Sequence, residues 1–208
     1  MNWFYRVAYA IFRVIFQIFF RIKIVGAENI PEKDGFLVCS NHFSATDPIK
    51  VCIAFKGHQI CYMAKKELFK IPIFNLVIKA FGAFPVDRSK ADVGAIKHML
   101  HLLESGRDGG MFPQGTRHPE KDPRDTVLKP GAGMICARTR ATVIPVFIGQ
   151  KNFKHKNFVP TTVIIGKPIT FEEMNYQQGV KGEYARMSAM IFDRVCELGV
   201  ENGFLEKR

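Results

Sequence analysis

The chain has 208 residues, a formal net charge of +11 and 47% hydrophobic residues, with 19 Phe. That size fits one domain with a real core, and the positive balance asks for an acidic partner: nucleic acid, an anionic membrane surface, a phosphorylated substrate or an acidic protein. The five cysteines (39, 52, 61, 136 and 196) make no CxxC or CxxH spacing, which speaks for a reducing compartment and against a structural disulfide or zinc. Cys39, Cys52 and Cys61 sit in apolar runs and read as small core residues.

Residues 2–21 place apolar side chains at 3, 4, 7, 8, 11, 12, 15, 16, 19 and 20, the two adjacent rows of one helix face. Arg6, Arg13, Gln17 and Arg21 fall largely on the other side. The longest stretch without charge, residues 14–20, is shorter than the roughly 20 residues of a membrane span. No small-residue cleavage site marks a removable signal peptide. An aromatic, basic, amphipathic helix of this kind suits the plane of a membrane interface. The competing reading packs it on the protein's own core.

Residues 22–25 read as a short strand, 31–35 as a turn and 36–40 as a strand. The chain then enters the polar corner Asn41-His42-Phe43-Ser44-Ala45-Thr46-Asp47-Pro48. Asp47 is a good N-cap, and Pro48 fits the first position of a helix that continues over 49–55. A loop folded back there lets Asp47 accept a hydrogen bond from one imidazole nitrogen of His42, leaving the other basic and outward. That is the general-base half of a triad with no nucleophile beside it, suited to a hydroxyl brought by a substrate. On spacing alone the pair also reads as a helix cap beside a hydrogen-bonded loop histidine.

Residues 60–64 read as a strand ending in Lys65-Lys66-Glu67-Leu68-Phe69-Lys70, and a helix restarts after Ile71-Pro72 over 73–80. Residues 81–88 give a turn, a short strand and the charged end Asp87-Arg88, and 92–104 a helix. Its His98 and His101 have no third ligand nearby in sequence, so no metal site is expected. The strand 109–112 runs into Pro113-Gln114-Gly115-Thr116-Arg117. Gly115 permits close backbone approach to a ligand, and Arg117 offers a fork to a phosphate. Residues 118–124 read as a surface loop, and 129–133 lead into a helix ending near 139. Residues 142–148 form a buried-type strand whose Pro145 points to an irregular or strand-end position. The Lys-rich segment 151–156 reads either as a contact for lipid headgroups or nucleic acid, or as a solvated loop. A strand at 161–165 and a closing helix at 181–198 complete the chain.

Strands alternating with helices, most strands being continuous apolar runs, make this an α/β protein: a mainly parallel sheet flanked by helices, behind an N-terminal amphipathic membrane-interface helix. Residues 1–21 form that helix and 22–208 one domain. Ligands gather at the carboxyl ends of such strands, and those ends carry His42, Lys65, Arg88 and Arg117. One base and three cations in one crevice suit a phosphate-bearing alcohol.

Four blocks stand in order: the Asn41–Pro48 corner, Gly82-Ala83-Phe84-Pro85-Val86-Asp87-Arg88, Phe112-Pro113-Gln114-Gly115-Thr116-Arg117 and Val143-Ile144-Pro145-Val146. Together they resemble the glycerolipid acyltransferase family, in particular the bacterial 1-acyl-glycerol-3-phosphate acyltransferases, over residues 20 to 170. The resemblance implies transfer of an acyl group from an acyl carrier protein or CoA thioester to the free hydroxyl of lysophosphatidic acid, giving phosphatidic acid in phospholipid biosynthesis. His42 would take the hydroxyl proton and Asp47 orient it. Lys65, Arg88 and Arg117 would hold the phosphate, with Gln114, Gly115 and Thr116 in the substrate-binding block. Backbone amides near 112–115 would be candidates for an oxyanion hole. No cofactor is implied beyond the thioester co-substrate.

Two positions depart from the family pattern. Gln114 stands where a Glu taken to bind the glycerol backbone is usual; it keeps an acceptor oxygen, adds a donor and loses the charge. Asn75 stands where Gly is frequent. The expected partners are an anionic membrane surface, lysophosphatidic acid, and an acyl carrier protein or CoA thioester, with the enzyme peripheral or monotopic on the cytoplasmic face. Gln114 keeps open another glycerolipid or lysophospholipid acceptor, and a non-catalytic lipid-binding protein is the alternative outside enzymes. No RNP-like, helix-turn-helix or zinc motif supports nucleic acid, and no G-x-S-x-G motif supports a hydrolase.

Overall fold

The computed structural model describes residues 3–87, 92–150 and 159–208. Arg88 and the Lys-rich segment 151–156 lie outside the described residues.

The chain begins with α1 (Trp3–Phe20), followed by β1 (Lys23–Val25), β2 (Leu37–Ser40), α2 (Asp47–Ala54), β3 (Cys61–Lys65), α3 (Pro72–Ala80) and β4 (Phe84–Val86). Then come α4 (Val93–Glu104), β5 (Gly109–Met111), α5 (Gly131–Thr139), β6 (Val143–Gly149), β7 (Thr162–Ile165) and α6 (Glu183–Glu201). The strands form one sheet in the order β1-β7-β6-β2-β5-β3-β4. Every pairing is parallel except β6 with β7. The expected mainly parallel α/β sheet is therefore present, with β7 and β1 reversed at one edge.

Both faces of the sheet are covered, which is why its strands read as unbroken apolar runs. On one face α1, α2 and α3 pack over Val38, Tyr62, Ile144 and Val146. On the other, α4, α5 and α6 cover Leu37, Cys39, Val143 and Phe147. All five cysteines are free and buried. In β5 a Cβ on Gly110 would lie 2.4 Å from Tyr62 Cζ, and one on Gly109 2.6 Å from Met99 Sδ. The glycine pair lets side chains from both faces lie across the strand.

Pro145 differs from expectation. It lies in the middle of β6, fully paired in register with Cys39 of β2. Its missing N–H falls where the regular ladder on its other side is interrupted, between Val146↔Ile165 and the isolated bridge Val143↔Ile169, and its carbonyl still accepts the Gly166 N–H at 2.8 Å.

Helix α1 packs on the core by one row of side chains and exposes another. Tyr5, Phe16 and Phe20 are buried in the core, and the Tyr5 and Tyr9 hydroxyls donate to the carbonyls of His58 and Ile53, at 2.7 and 3.1 Å. Its outer row, Trp3, Val7, Ile11, Val14 and Ile18, is exposed, as are Ile73 and Leu76 of α3, which packs beside it. By length and composition alone the helix qualifies as one able to cross a membrane, but its inner row is part of this domain's core.

Candidate active site

Strands β2 and β5 are neighbours whose outgoing connections run over opposite faces of the sheet, β2 through α2 to β3 and β5 through α5 to β6. Such a switch point opens a crevice at the carboxyl ends. His42 leaves β2 at this place.

The corner is held by side chains standing in for a strand. Asn41, fully buried, donates through Nδ2 to the Ile148 carbonyl at 3.0 Å and accepts the Ile148 N–H at 2.7 Å. This extends the β2–β6 ladder by one amide pair beyond Ser40 and fixes where His42 emerges.

Asp47 is the first residue of α2, and its side chain does not cap that helix as the sequence suggested. It turns back over the loop instead. Oδ2 accepts the N–H groups of Phe43 (2.7 Å) and Ser44 (2.6 Å) and faces His42 Nδ1 at 3.1 Å. Burial opposes the charge on Asp47. The bond to His42, the nearby Lys50 ammonium and the backbone amides outweigh that and hold its carboxyl below the usual range. The contact of Nδ1 with Asp47 makes the two ring nitrogens chemically distinct.

The imidazole is also fixed from its face. Phe112 stacks on it with centroids 3.9 Å apart and planes 13° apart, and Tyr62 stacks behind Phe112 at 5.2 Å. The loop after β5 wraps the same residue: His118 N–H donates to the His42 carbonyl at 2.9 Å.

Gln114 is engaged by protein groups at both ends of its amide. It is 2% exposed, Oε1 accepts the His42 N–H at 2.7 Å, and Nε2 donates to Thr126 Oγ1 at 2.9 Å. Thr126 in turn donates to the Pro123 carbonyl at 2.6 Å. Against the expected place of Gln114 in the substrate-binding block, the contacts its amide makes here are to protein: it ties His42 to the 123–126 turn. Gly115, at φ 70°, adopts the left-handed turn its type permits, and its N–H is bonded to the Phe112 carbonyl at 2.9 Å. That bond removes this amide from the candidates for an oxyanion hole.

Two cavities flank His42, Tyr62, Met63 and Phe112. One, of about 170 Å³, opens toward α2 and α3 and is lined by Pro48, Ile49, Leu68, Phe74 and Phe81, with Lys65 and Arg117 among its walls. The other, of about 210 Å³, opens toward α4 and α5 and is lined by Ile96, Met111, Gly115 and Lys129. Of the expected phosphate ligands, Lys65 and Arg117 therefore meet at one cavity; Lys65 also stands 3.7 Å from Glu67. Thr116 is exposed and lines neither cavity.

Residues that sequence reasoning passed over complete the site. Lys50, three residues after Asp47, is fully buried with Nζ 3.4 Å from Asp47 Oδ1. Its signal is a lysine in an otherwise apolar helix, one turn from a carboxylate. Phe112 opens the block at 112–117, but nothing in the sequence assigns its ring to His42, and Lys129 gives no signal of its own.

A second His–Asp group lies at the opposite, amino end of the strands. His58 Nδ1 is 2.7 Å from Asp34 and 3.0 Å from Asp108, whose Oδ1 also accepts the Gly35 N–H at 2.8 Å. Hydrogen bonding and charge within the group account for its geometry. His98 packs against the Phe84 ring at 4.4 Å.

The acyltransferase family model matches residues 21–149. A 1-acyl-sn-glycerol-3-phosphate acyltransferase of Bacillus subtilis (strain 168) is 32% identical over 191 residues, which cover 89% of this chain and 92% of the relative. A protein of the same name from Streptococcus pneumoniae is 36% identical over 121 residues, which cover 57% of this chain and 44% of the relative. The crystal structure of the 1-acyl-sn-glycerophosphate (LPA) acyltransferase PlsC from Thermotoga maritima matches with a TM-score of 0.72 at 23% identity, covering 98% of this chain and 81% of that one. At that identity the likeness speaks for the fold alone. A buried, oriented histidine between two cavities, on a chain matched across more than half its length by one family, leads to one conclusion: this chain belongs to the acyltransferase family.

Proposed function

We propose that this protein transfers a fatty acyl group from an acyl carrier protein or CoA thioester to the sn-2 hydroxyl of 1-acyl-glycerol-3-phosphate, giving phosphatidic acid. The observation that carries this reading is the His42–Asp47 contact of 3.1 Å, set between two cavities of which one holds Arg117 and Lys65. His42 Nε2 takes the hydroxyl proton as the oxygen attacks the thioester carbonyl. The C–S bond then breaks, and the leaving thiolate receives the proton. The acceptor alcohol is itself the nucleophile, so no acyl-enzyme forms. A placed base contributes about 10²–10⁴-fold, and holding both substrates in register supplies much of the remainder.

Each substrate brings an acyl chain, and two apolar cavities meet at the base. Arg117 and Lys65 favour the α2–α3 cavity for the phosphate-bearing acceptor. The exposed outer row of α1, with Ile73 and Leu76 of α3, suits a docked, monotopic position on the cytoplasmic leaflet, where the acceptor resides. The net charge of +11 favours anionic lipid and an acidic carrier protein. The case for another acceptor rested on Gln114, whose amide is engaged by the His42 N–H and the Thr126 hydroxyl.

The test compares lysophosphatidic acid, glycerol-3-phosphate and lysophosphatidylcholine as acceptors in vesicles, with each thioester as donor. Wild type, His42→Ala and Arg117→Ala run side by side. Turnover with lysophosphatidic acid, abolished in His42→Ala and with KM raised about tenfold in Arg117→Ala, is expected. Turnover in His42→Ala equal to wild type removes the histidine from the chemistry, and preference for a different acceptor reassigns the substrate.

A further inference from the structure

Lys50 is the least expected residue in the core. It has no solvent exposure, its Nζ lies 3.4 Å from Asp47 Oδ1, and the Phe20 ring of α1 covers it at 5.0 Å. Bringing an ammonium group out of water carries a desolvation cost that one contact at this distance does not cancel. A Leu or Met of similar length would fill the same space without that cost.

Asp47 divides its two oxygens. Oδ2 serves His42 and two backbone amides; Oδ1 faces Lys50. A buried carboxylate beside an imidazole favours the imidazolium, and a histidine held as imidazolium has no lone pair for a substrate proton. A cation on the far side of the same carboxylate acts in the opposite sense.

We propose that Lys50 is a positioning residue for the reaction: through Asp47 it offsets the carboxylate's pull on His42, so that the imidazole stays neutral and able to accept a proton near neutral pH. This rests on His42 being the base. Burial draws the Lys50 ammonium below its ordinary range while Asp47 opposes that, and Asp47 is held ionised despite its burial. The other titratable groups around the dyad do not duplicate this charge. Tyr62 and Cys52 are pushed up by burial and are neutral at pH 7. Lys65 and Arg117 are exposed, where water and salt screen them.

The experiment is the pH profile of kcat/KM on vesicles for wild type, Lys50→Met and Lys50→Arg. Met keeps the length and removes the charge; its acid limb is expected about one pH unit higher than wild type. Turnover at pH 6.5 then falls several-fold more than at pH 8.5. Arg keeps the charge and is expected to keep the wild-type limb. A structural role alone would lower kcat at every pH and leave the limb in place, and that result overturns the proposal. An unmoved limb in Lys50→Met beside an inactive His42→Ala removes Lys50 while leaving the base in place.

Lys50→Met leaves a buried carboxylate without its cation, so a second measurement uses the unaltered chain. The ¹³Cε resonance of Lys50, followed by NMR in detergent micelles from pH 6 to 9, reports its charge directly. An ammonium throughout that range supports the proposal; a neutral amine at pH 7 overturns it.

Discussion

Phe112 lies flat against His42, with 3.9 Å between ring centroids and 13° between planes. The contact sets the tilt of the imidazole, and the same residue lines both cavities. Phe112→Ala is expected to lower kcat by about tenfold, since a ring free to tilt spends less time in reactive geometry. It also removes a wall that both cavities share. Steady-state kinetics across a series of donor chain lengths reads both effects; an unchanged kcat and an unchanged chain preference would show that the stack is idle.

Gln114 has a role that can be separated from substrate binding. Gln114→Ala strands the buried His42 N–H, at about 1–3 kcal/mol, and is expected to reduce kcat while leaving the acceptor KM near its wild-type value. In Gln114→Glu a carboxylate oxygen still accepts from His42, and the Thr126 hydroxyl turns from the Pro123 carbonyl to donate to it. Turnover within about threefold of wild type is expected for that variant. A selective rise in acceptor KM for either variant would return Gln114 to the substrate.

The two rows of α1 predict opposite outcomes. Ile11→Asp and Ile18→Asp change exposed positions, so melting temperature should hold while binding to anionic vesicles, read by flotation, falls at least about tenfold. Removing residues 1–20 strips Tyr5, Phe16 and Phe20 from the core and the two tyrosine bonds from the Ile53 and His58 carbonyls. That truncation should unfold the domain instead of releasing a soluble enzyme. Full vesicle binding by both Asp variants would place the docking surface elsewhere.

At the amino end of the sheet, the Asp108 hydrogen bond, against burial and with Asp34, holds the His58 imidazolium above its ordinary range. Burial pushes the partner Asp108 carboxyl up. A raised histidine contributes stability that is complete below about pH 6.5, its unfolded value, and is lost as pH rises through the folded one. The melting-temperature gap between wild type and His58→Gln should therefore be larger at pH 6 than at pH 9, with kcat unaffected because the cluster lies across the sheet from His42. A gap that widens with pH would reverse the sign of this argument.

Much of the site could be read from residue order. The 3.6-residue rows of α1, the apolar runs of β2 and β6, and the His42–Asp47 spacing each report a local constraint that survives into the fold. What was hidden depends on how distant segments close. Gln114 looks like a substrate ligand until the 112–118 loop folds over His42 and turns its amide inward. Lys50 looks like a surface lysine until α1 covers that side of α2 with Phe20. The reversal of β7 is invisible because a four-residue strand has the same pattern in either direction. For Asp47 the sequence supports a cap as well as a partner for His42, because caps and loop-bracing carboxylates use the same residue at the same place, and only the second role is present.

The tyrosine bonds from α1 to the Ile53 and His58 carbonyls, in α2 and the loop after it, make the N-terminal helix a fixed keel and not a tether. With its outer row in lipid, as proposed, the height of His42 above the bilayer is set by protein packing and does not fluctuate with a linker. The acceptor then arrives by lateral diffusion in two dimensions. Turnover would follow its mole fraction among the surrounding lipids, and diluting the vesicles in buffer would leave the rate per bound enzyme unchanged.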